Sequence, residues 1–151
     1  MFINQQVNFR PAKEQDYDFL YNMHIATMKE YIDKTWGWED FAQQEFFKKS
    51  FEPEKIQIIT LDTKDIGMVL IEEGQEDIFL RVIEILPNYQ RQGIGTYIVQ
   101  KLINKASQNN KAVFLYVLKV NPAQNLYERL GFKRIAETST HYVMKACLNM
   151  F

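Results

Sequence analysis

The spacing of apolar residues changes several times along the chain, and each change predicts an element. Residues 7–10 read as a short strand closed by Pro11. Over 14–34, Tyr17, Leu20, Tyr21, Ile25, Met28 and Ile32 recur at helical spacing, with His24 in the same stripe. Trp36-Gly37-Trp38 breaks that pattern. A second helix is predicted over 39–49, with Phe41, Phe46 and Phe47 on or near one side and Pro53 shortly beyond its end. Residues 56–62 and 66–73 are β-branched runs joined by the turn candidate Asp62-Thr63-Lys64-Asp65, which predicts a hairpin. A third run, 78–86, ends at Pro87, and the short links favour an antiparallel meander. A helix over 93–108, a strand over 113–118 and a helix over 122–130 follow. Asn121 suits the N-cap of that last helix, Pro122 its first position, and Gly131 a left-handed cap beyond it. Strands near 133–137 and 141–145 complete the order β-α-α-β-β-β-α-β-α-β-β. This is a mixed α/β layout with helices on both faces of the sheet.

Composition narrows the class without naming a function. The chain has 151 residues, 46% of them hydrophobic and 25% charged, and no linker or repeat divides it, so residues 1–151 read as one globular domain. A net charge of −1 argues against a nucleic-acid binder held by bulk positive charge. That total conceals a split: residues 1–76 carry 15 acids and 8 bases, whereas 77–151 carry 4 acids and 10 bases. Either the charges cluster by chance on solvated faces, or the second half binds an anion. The single cysteine, Cys147, allows no intrachain disulfide, and the isolated His24 and His141 offer no zinc spacing, so no metal is expected. No signal-peptide pattern opens the chain and no apolar run approaches a membrane span. The expectation is a soluble cytoplasmic protein with no membrane partner.

The most informative segment is Ile83-Glu84-Ile85-Leu86-Pro87-Asn88-Tyr89-Gln90-Arg91-Gln92-Gly93-Ile94-Gly95-Thr96. A strand feeds a loop with two glycines that opens directly onto a helix. Unpaired N–H groups and the positive end of the helix dipole meet there, an arrangement suited to phosphate. A dinucleotide fingerprint would need a third glycine where Ile98 stands, and an acidic residue where the apolar strand 113–118 runs. The Gly-Lys-Ser/Thr of a Walker loop is absent.

The order Gln90-x-x-Gly93-x-Gly95 after a strand and a proline resembles the GNAT superfamily of acyl-coenzyme A-dependent N-acetyltransferases. Phe9-Arg10-Pro11-Ala12 with Asp16 and Asp18 is similar to that family's first strand and helix start. Leu126-Tyr127-Glu128-Arg129-Leu130-Gly131-Phe132 is similar to its late helix and turn. The resemblance implies a largely antiparallel mixed sheet of six to seven strands flanked by about four helices, with acetyl-CoA as cosubstrate. By position, the loop Gln90, Arg91, Gln92, Gly93, Ile94, Gly95 and Thr96 would hold the pyrophosphate. Ile85 and Leu86 would meet the pantetheine arm by their backbone, where that strand and 113–118 splay apart. Tyr127 would sit near the sulfur as proton donor, or else be a packed helix aromatic. The asparagine expected seven residues before this tyrosine is replaced by Val120. Asn121 follows it and either touches the coenzyme or serves only as a cap.

Acetyl transfer to an amine needs a base, oxyanion donors and a proton for the thiolate. Glu84 is the only acid in 78–87 and is a candidate base, unless it points to solvent; His141 is the second candidate. The family's acceptor pocket corresponds here to a region with Tyr31, Trp36, Trp38 and Phe41 beside Glu30, Asp33, Glu39 and Asp40. Such a wall suits a small cationic amine, with Glu84 reaching it, unless the aromatics are core or dimer surface and the acids a solvated face. The expected function is direct acetyl transfer to a primary amine in a ternary complex. The alternatives are a non-catalytic acyl-CoA sensor of the same fold or an interaction domain without a ligand. A homodimer is left open.

Overall fold

The β-branched runs in the middle of the chain are apolar on both sides, so the sheet they build must be covered on both faces. The computed structural model describes residues 6–146, which leaves Cys147 outside the described residues. Its elements are β1 (Val7–Pro11), α1 (Tyr17–Trp36), α2 (Asp40–Ser50), β2 (Ile56–Leu61), β3 (Lys64–Glu73), β4 (Asp77–Ile85), α3 (Ile94–Gln108), β5 (Ala112–Leu118), α4 (Ala123–Arg129), β6 (Lys133–Glu137) and β7 (His141–Ala146). The strands form one seven-stranded sheet in the order β1-β2-β3-β4-β5-β7-β6, antiparallel except between β4 and β5. One core, around Ile78, Leu80, Val99 and Met144, lies under α3 and α4. The other, around Leu20, Met23, Ile58 and Met68, lies under α1 and α2. No described helix is long and apolar enough to cross a membrane.

The predicted order of elements holds, with local shifts that have local causes. The first helix begins at Tyr17 rather than 14, because Glu14–Asp16 forms a tight 3-10 turn. Arg10 holds that turn by donating to both Asp16 oxygens at 3.0 Å while also donating to Asp65 at 2.8 and 3.1 Å. The guanidinium keeps the Asp16 carboxyl below its ordinary range, and the trio ties β1 to α1 and to the β2–β3 hairpin. Trp36 is still helical; the break comes at Gly37, whose φ of 83° ends α1. The hairpin turn is only Asp62 and Thr63, both in the left-handed region, as a two-residue turn between twisted strands requires. At α4, Pro122 takes the cap and Ala123 the first position. Asn121 lies one residue further out, and its side-chain oxygen accepts the Ala123 N–H at 2.9 Å.

One irregularity shapes the centre. Leu80 pairs with Ile71 and Val82 with Leu70, so Arg81 is an extra residue in β4. A bulge of this kind bends a strand and shifts its side-chain alternation by one. Ile78 and Leu80 face the α3 core, but after the bulge Val82 and Leu86 join the α1 core and Ile83 and Ile85 take the α3 side. The pairing of β4 with β5 covers only Asp77, Ile78 and Phe79 against Ala112, Val113 and Phe114. Beyond Phe79 the two strands part.

Across β4 from this gap, Gly67 on β3 allows the strands to lie close. A Cβ there would collide with the Glu84 carbonyl oxygen and crowd Ile59 Cδ1 at 3.1 Å and Ile85 Cα at 3.3 Å. Two of these three neighbours are backbone atoms and cannot rotate away. Gly67→Ala should therefore destabilise the fold by about 1–3 kcal/mol, read as a lower urea midpoint with an unchanged m-value.

Candidate functional site

Where β4 and β5 part, a cleft runs through the molecule. On the α1–α2 side it opens into a cavity of about 470 Å³, and on the α3–α4 side into one of about 540 Å³. Met28, Ile83, Glu84, Asn121 and Tyr127 line both, so these residues stand at the passage between the two halves.

The backbone of β4 presents hydrogen-bonding groups to the gap. The Leu86 N–H donates to the Ile66 carbonyl at 2.8 Å, and Ile85 lies opposite Gly67. In an antiparallel ladder this makes Ile85 a member of a non-bonded pair, so its own N–H and C=O point away from β3 and toward the gap. Gln90 Nε2 donates to the Ile85 carbonyl at 2.8 Å, which leaves the Ile85 N–H as the donor facing the gap. The amide of Leu86 is already committed to β3.

Glu84 is only 8% exposed. A buried carboxylate needs partners, and α1 supplies them. Thr27 Oγ1 donates to Oε1 at 2.8 Å, and His24 Nδ1 lies 3.6 Å from Oε2. The other ring nitrogen of His24 is 3.4 Å from Gln43 Oε1 on α2. Rings of Tyr21, Trp38 and Phe47 surround the imidazole. Burial pulls the His24 pKa down, but the hydrogen bond and charge of Glu84, with Gln43, outweigh it and leave the pKa above its ordinary value.

Tyr127, on α4, also lines the passage and packs against Phe132. None of the described residues hydrogen-bonds to its hydroxyl. Burial pushes its pKa up to about 12, so the hydroxyl keeps its proton at neutral pH.

On the α3 side the glycine-bearing loop takes the form its sequence predicts. Gly93 caps the helix with φ 87° and ψ 2°, a conformation that favours glycine. The first helical bond runs from Tyr97 N–H to Gly93 C=O, so the amides of Ile94, Gly95 and Thr96 have no helical acceptor. No acid lies in this first turn. Gln90, Arg91, Gly93, Gly95 and Thr96 line the cavity together with Arg129. Arg91 adopts φ 62°, unusual for a residue with a side chain. Gln92 instead folds back onto the Asn88 carbonyl at 3.1 Å, and the Ile94 side chain belongs to the core.

The remaining candidates are divided by the structure. Tyr31 lines the α3-side cavity and Trp36 and His141 the α1-side one, with the Trp36 and His141 rings 6.0 Å apart. His141 Nδ1 is 2.8 Å from Thr140 Oγ1, and burial lowers its pKa. Trp38 lines neither cavity; it packs over His24, and its indole N–H donates to Asp40 at 2.7 Å. The four acids of the proposed acceptor wall also line neither cavity. Glu30 pairs with Lys34, Asp33 accepts the Trp38 N–H, Glu39 caps α2 through Ala42, and Asp40 holds Trp38. Sequence reasoning missed His24, Thr27, Gln43 and Arg129. The available signal was a histidine within an otherwise apolar helical stripe, a position that demands a polar partner. Among the described residues no group of His, Cys, Asp and Glu could hold a metal.

Comparisons with known proteins bear on the family and the fold. A model described as the acetyltransferase (GNAT) family matches residues 17–132. The chain is 31% identical over 78 residues to the [ribosomal protein bS18]-alanine N-acetyltransferase of Haemophilus influenzae, covering 51% of this chain and 53% of that protein, about half the relative's length. Its fold is similar to that of the PaiA N-acetyltransferase of Thermoplasma acidophilum in complex with coenzyme A, with TM-score 0.74, 14% identity and coverage of 93% of this chain and 98% of that one. It is also similar to the spermidine N-acetyltransferase of Vibrio cholerae in complex with CoA and spermine, with TM-score 0.64, 20% identity and 94% and 95% coverage. The family match extends from the start of α1 past α4, across every element that lines the cleft except β7, and the chain belongs to the acetyltransferase (GNAT) family.

Proposed function

We propose that the protein transfers the acetyl group of acetyl-CoA to a primary amine by direct attack in a ternary complex. The observation that carries this reading is the passage itself: a buried, braced carboxylate and a proton-bearing tyrosine both line it where two strands part. The N-acetyltransferase names of the relatives support it.

The α3 side has the donor set that a pyrophosphate needs: free amides at a helix start, a glycine cap, no nearby acid, and the guanidinium groups of Arg91 and Arg129. Bound there, acetyl-CoA supplies the thioester. Asn121 and the backbone of Ile85 line the passage beside it, and the Ile85 N–H is the donor available to a developing oxyanion. An acceptor arriving from the α1 side comes as an ammonium. Glu84 takes the proton that frees the nitrogen lone pair. As the C–N bond forms and the C–S bond breaks, Tyr127 gives its proton to the departing sulfur. The second proton lost by the nitrogen restores Tyr127, the proton on Glu84 passes to solvent, and one proton is released overall. Thr27 and His24 fix the Glu84 carboxylate in place and touch neither reacting group. His141 lines the α1-side cavity with Trp36 but is not among the residues shared by both cavities, so Glu84 is taken as the base in this reading.

Glu84→Gln should lower kcat by about 10²–10⁴-fold and leave acetyl-CoA affinity unchanged. Free-thiol release across a pH series checks this, and the loss should shrink at high pH, where more of the amine is already neutral. Full turnover in the variant at all pH values removes Glu84 as base. Binding of acetyl-CoA with no thiol release against any amine would mark a sensor instead. Tyr127→Phe should lower kcat by about 10²-fold with little change in KM for the amine.

His24 yields a stability prediction. Its pKa is raised in the folded protein, so the stabilisation from its charge is fully present below its unfolded value of about 6.5 and is lost as pH rises through the folded value. The groups facing it are Glu84 on β4, Gln43 on α2 and the rings of Tyr21, Trp38 and Phe47. The Tm difference between wild type and His24→Gln should therefore be larger at pH 5.5 to 6, or about one unit below the unfolded value, than at pH 9.

A further inference from the structure

The α1-side cavity carries more information about the acceptor than the charge pattern of the chain does. Its walls are apolar: Met28 and Ile32 from α1, Phe47 and Phe51 from α2 and just after it, Leu70 from β3 and Val82 from β4. Trp36, Phe46 and Tyr116 stand at the mouth, 60%, 68% and 52% exposed. Glu84 at the inner end is the one buried carboxylate among the described residues. The other acid on the lining, Glu52, is half exposed and already paired with Lys55 at 3.2 Å. A cation also lies on this lining, Arg81, paired with Glu72 at 2.8 Å.

We infer that the acceptor is a monoamine with an apolar or aromatic body, not a polycation; this rests on the acetyl-transfer reading of the same site. The amine end meets Glu84, where surrounding apolar walls favour the neutral, attacking form of the nitrogen. The body lies against the α1–α2 wall and the aromatic mouth, and leaves water as it binds. A second ammonium on the same molecule would have to sit among apolar side chains or beside Arg81, with Glu84 already engaged. The same chemistry is offered by a small arylalkylamine and by a peptide whose free N-terminus is followed by apolar residues.

The test is a thiol-release assay with saturating acetyl-CoA and four acceptors: 2-phenylethylamine, an unblocked peptide beginning Met-Leu, spermidine, and lysine. The apolar acceptors should exceed spermidine and lysine in kcat/KM by about tenfold or more, and the better of the two identifies the source. Phe46→Asp changes an exposed mouth residue without disturbing either core. It should narrow that ratio by raising KM for 2-phenylethylamine and lowering it for spermidine. Preference for spermidine or lysine, equal use of all four, or an unchanged ratio in the variant overturns the inference while leaving acetyl transfer intact. A parallel calorimetric titration of 2-phenylethylamine into the CoA-saturated protein separates the two readings. Binding with no turnover of any acceptor upholds the ligand class and removes the transferase reading, and absence of binding together with no turnover of any acceptor removes both.

Discussion

The single extra residue at Arg81 governs the geometry of the whole site. A strand that continued in register from Ile78 through Leu80 would carry Glu84 on the same face, toward α3. The bulge reverses that alternation, so Glu84 faces α1, where Thr27 and His24 hold it. The same bend accompanies the loss of pairing with β5 after Phe79, which leaves the Ile85 N–H facing an open gap. Carboxylate, backbone donor and passage therefore share one local cause. The close approach of β3 at Gly67 sets the opposite side of β4 against the same stretch.

Around that gap the fold separates two kinds of recognition. The α3 side offers fixed amide dipoles and guanidinium groups, a surface for an anion. The α1 side is aromatic and apolar, with one braced carboxylate. Met28, Ile83, Asn121 and Tyr127 form the shared boundary with Glu84. In the proposed reaction these halves bring an anionic cosubstrate and an apolar amine together from opposite directions, so neither must pass the other. The basic second half of the chain fits the first role through Arg91 and Arg129. The acidic first half serves local structure instead, as caps and indole or lysine partners in and around α1 and α2.

The form of the glycine-bearing loop was legible in the sequence because everything it needs is contiguous: strand end, proline, Gln90, two glycines and a helix start. The element order was legible for the same reason, since periodicity and punctuation act over a few residues. Boundaries moved where side chains from elsewhere intervened, as Arg10 does at the turn before α1. The orientation of Glu84 was not legible, because it depends on a bulge that the apolar pattern of 78–86 does not display. His24 looked isolated because its partners, Glu84 and Gln43, come from other elements. The acids of 30–40 looked like an acceptor wall because charge counting does not show which carboxylates are consumed by the backbone beside them.

In the proposed reaction the end of β4 that has parted from β5 and the start of α3 receive the cosubstrate together. Amide hydrogen exchange, with and without acetyl-CoA, tests it directly. Acetyl-CoA should slow exchange at Ile85 and at Ile94, Gly95 and Thr96, whose amides face the cleft, and leave Leu86, already bonded to Ile66, unchanged. Protection confined to other segments, with Ile85 and the α3 start unaffected, would contradict it.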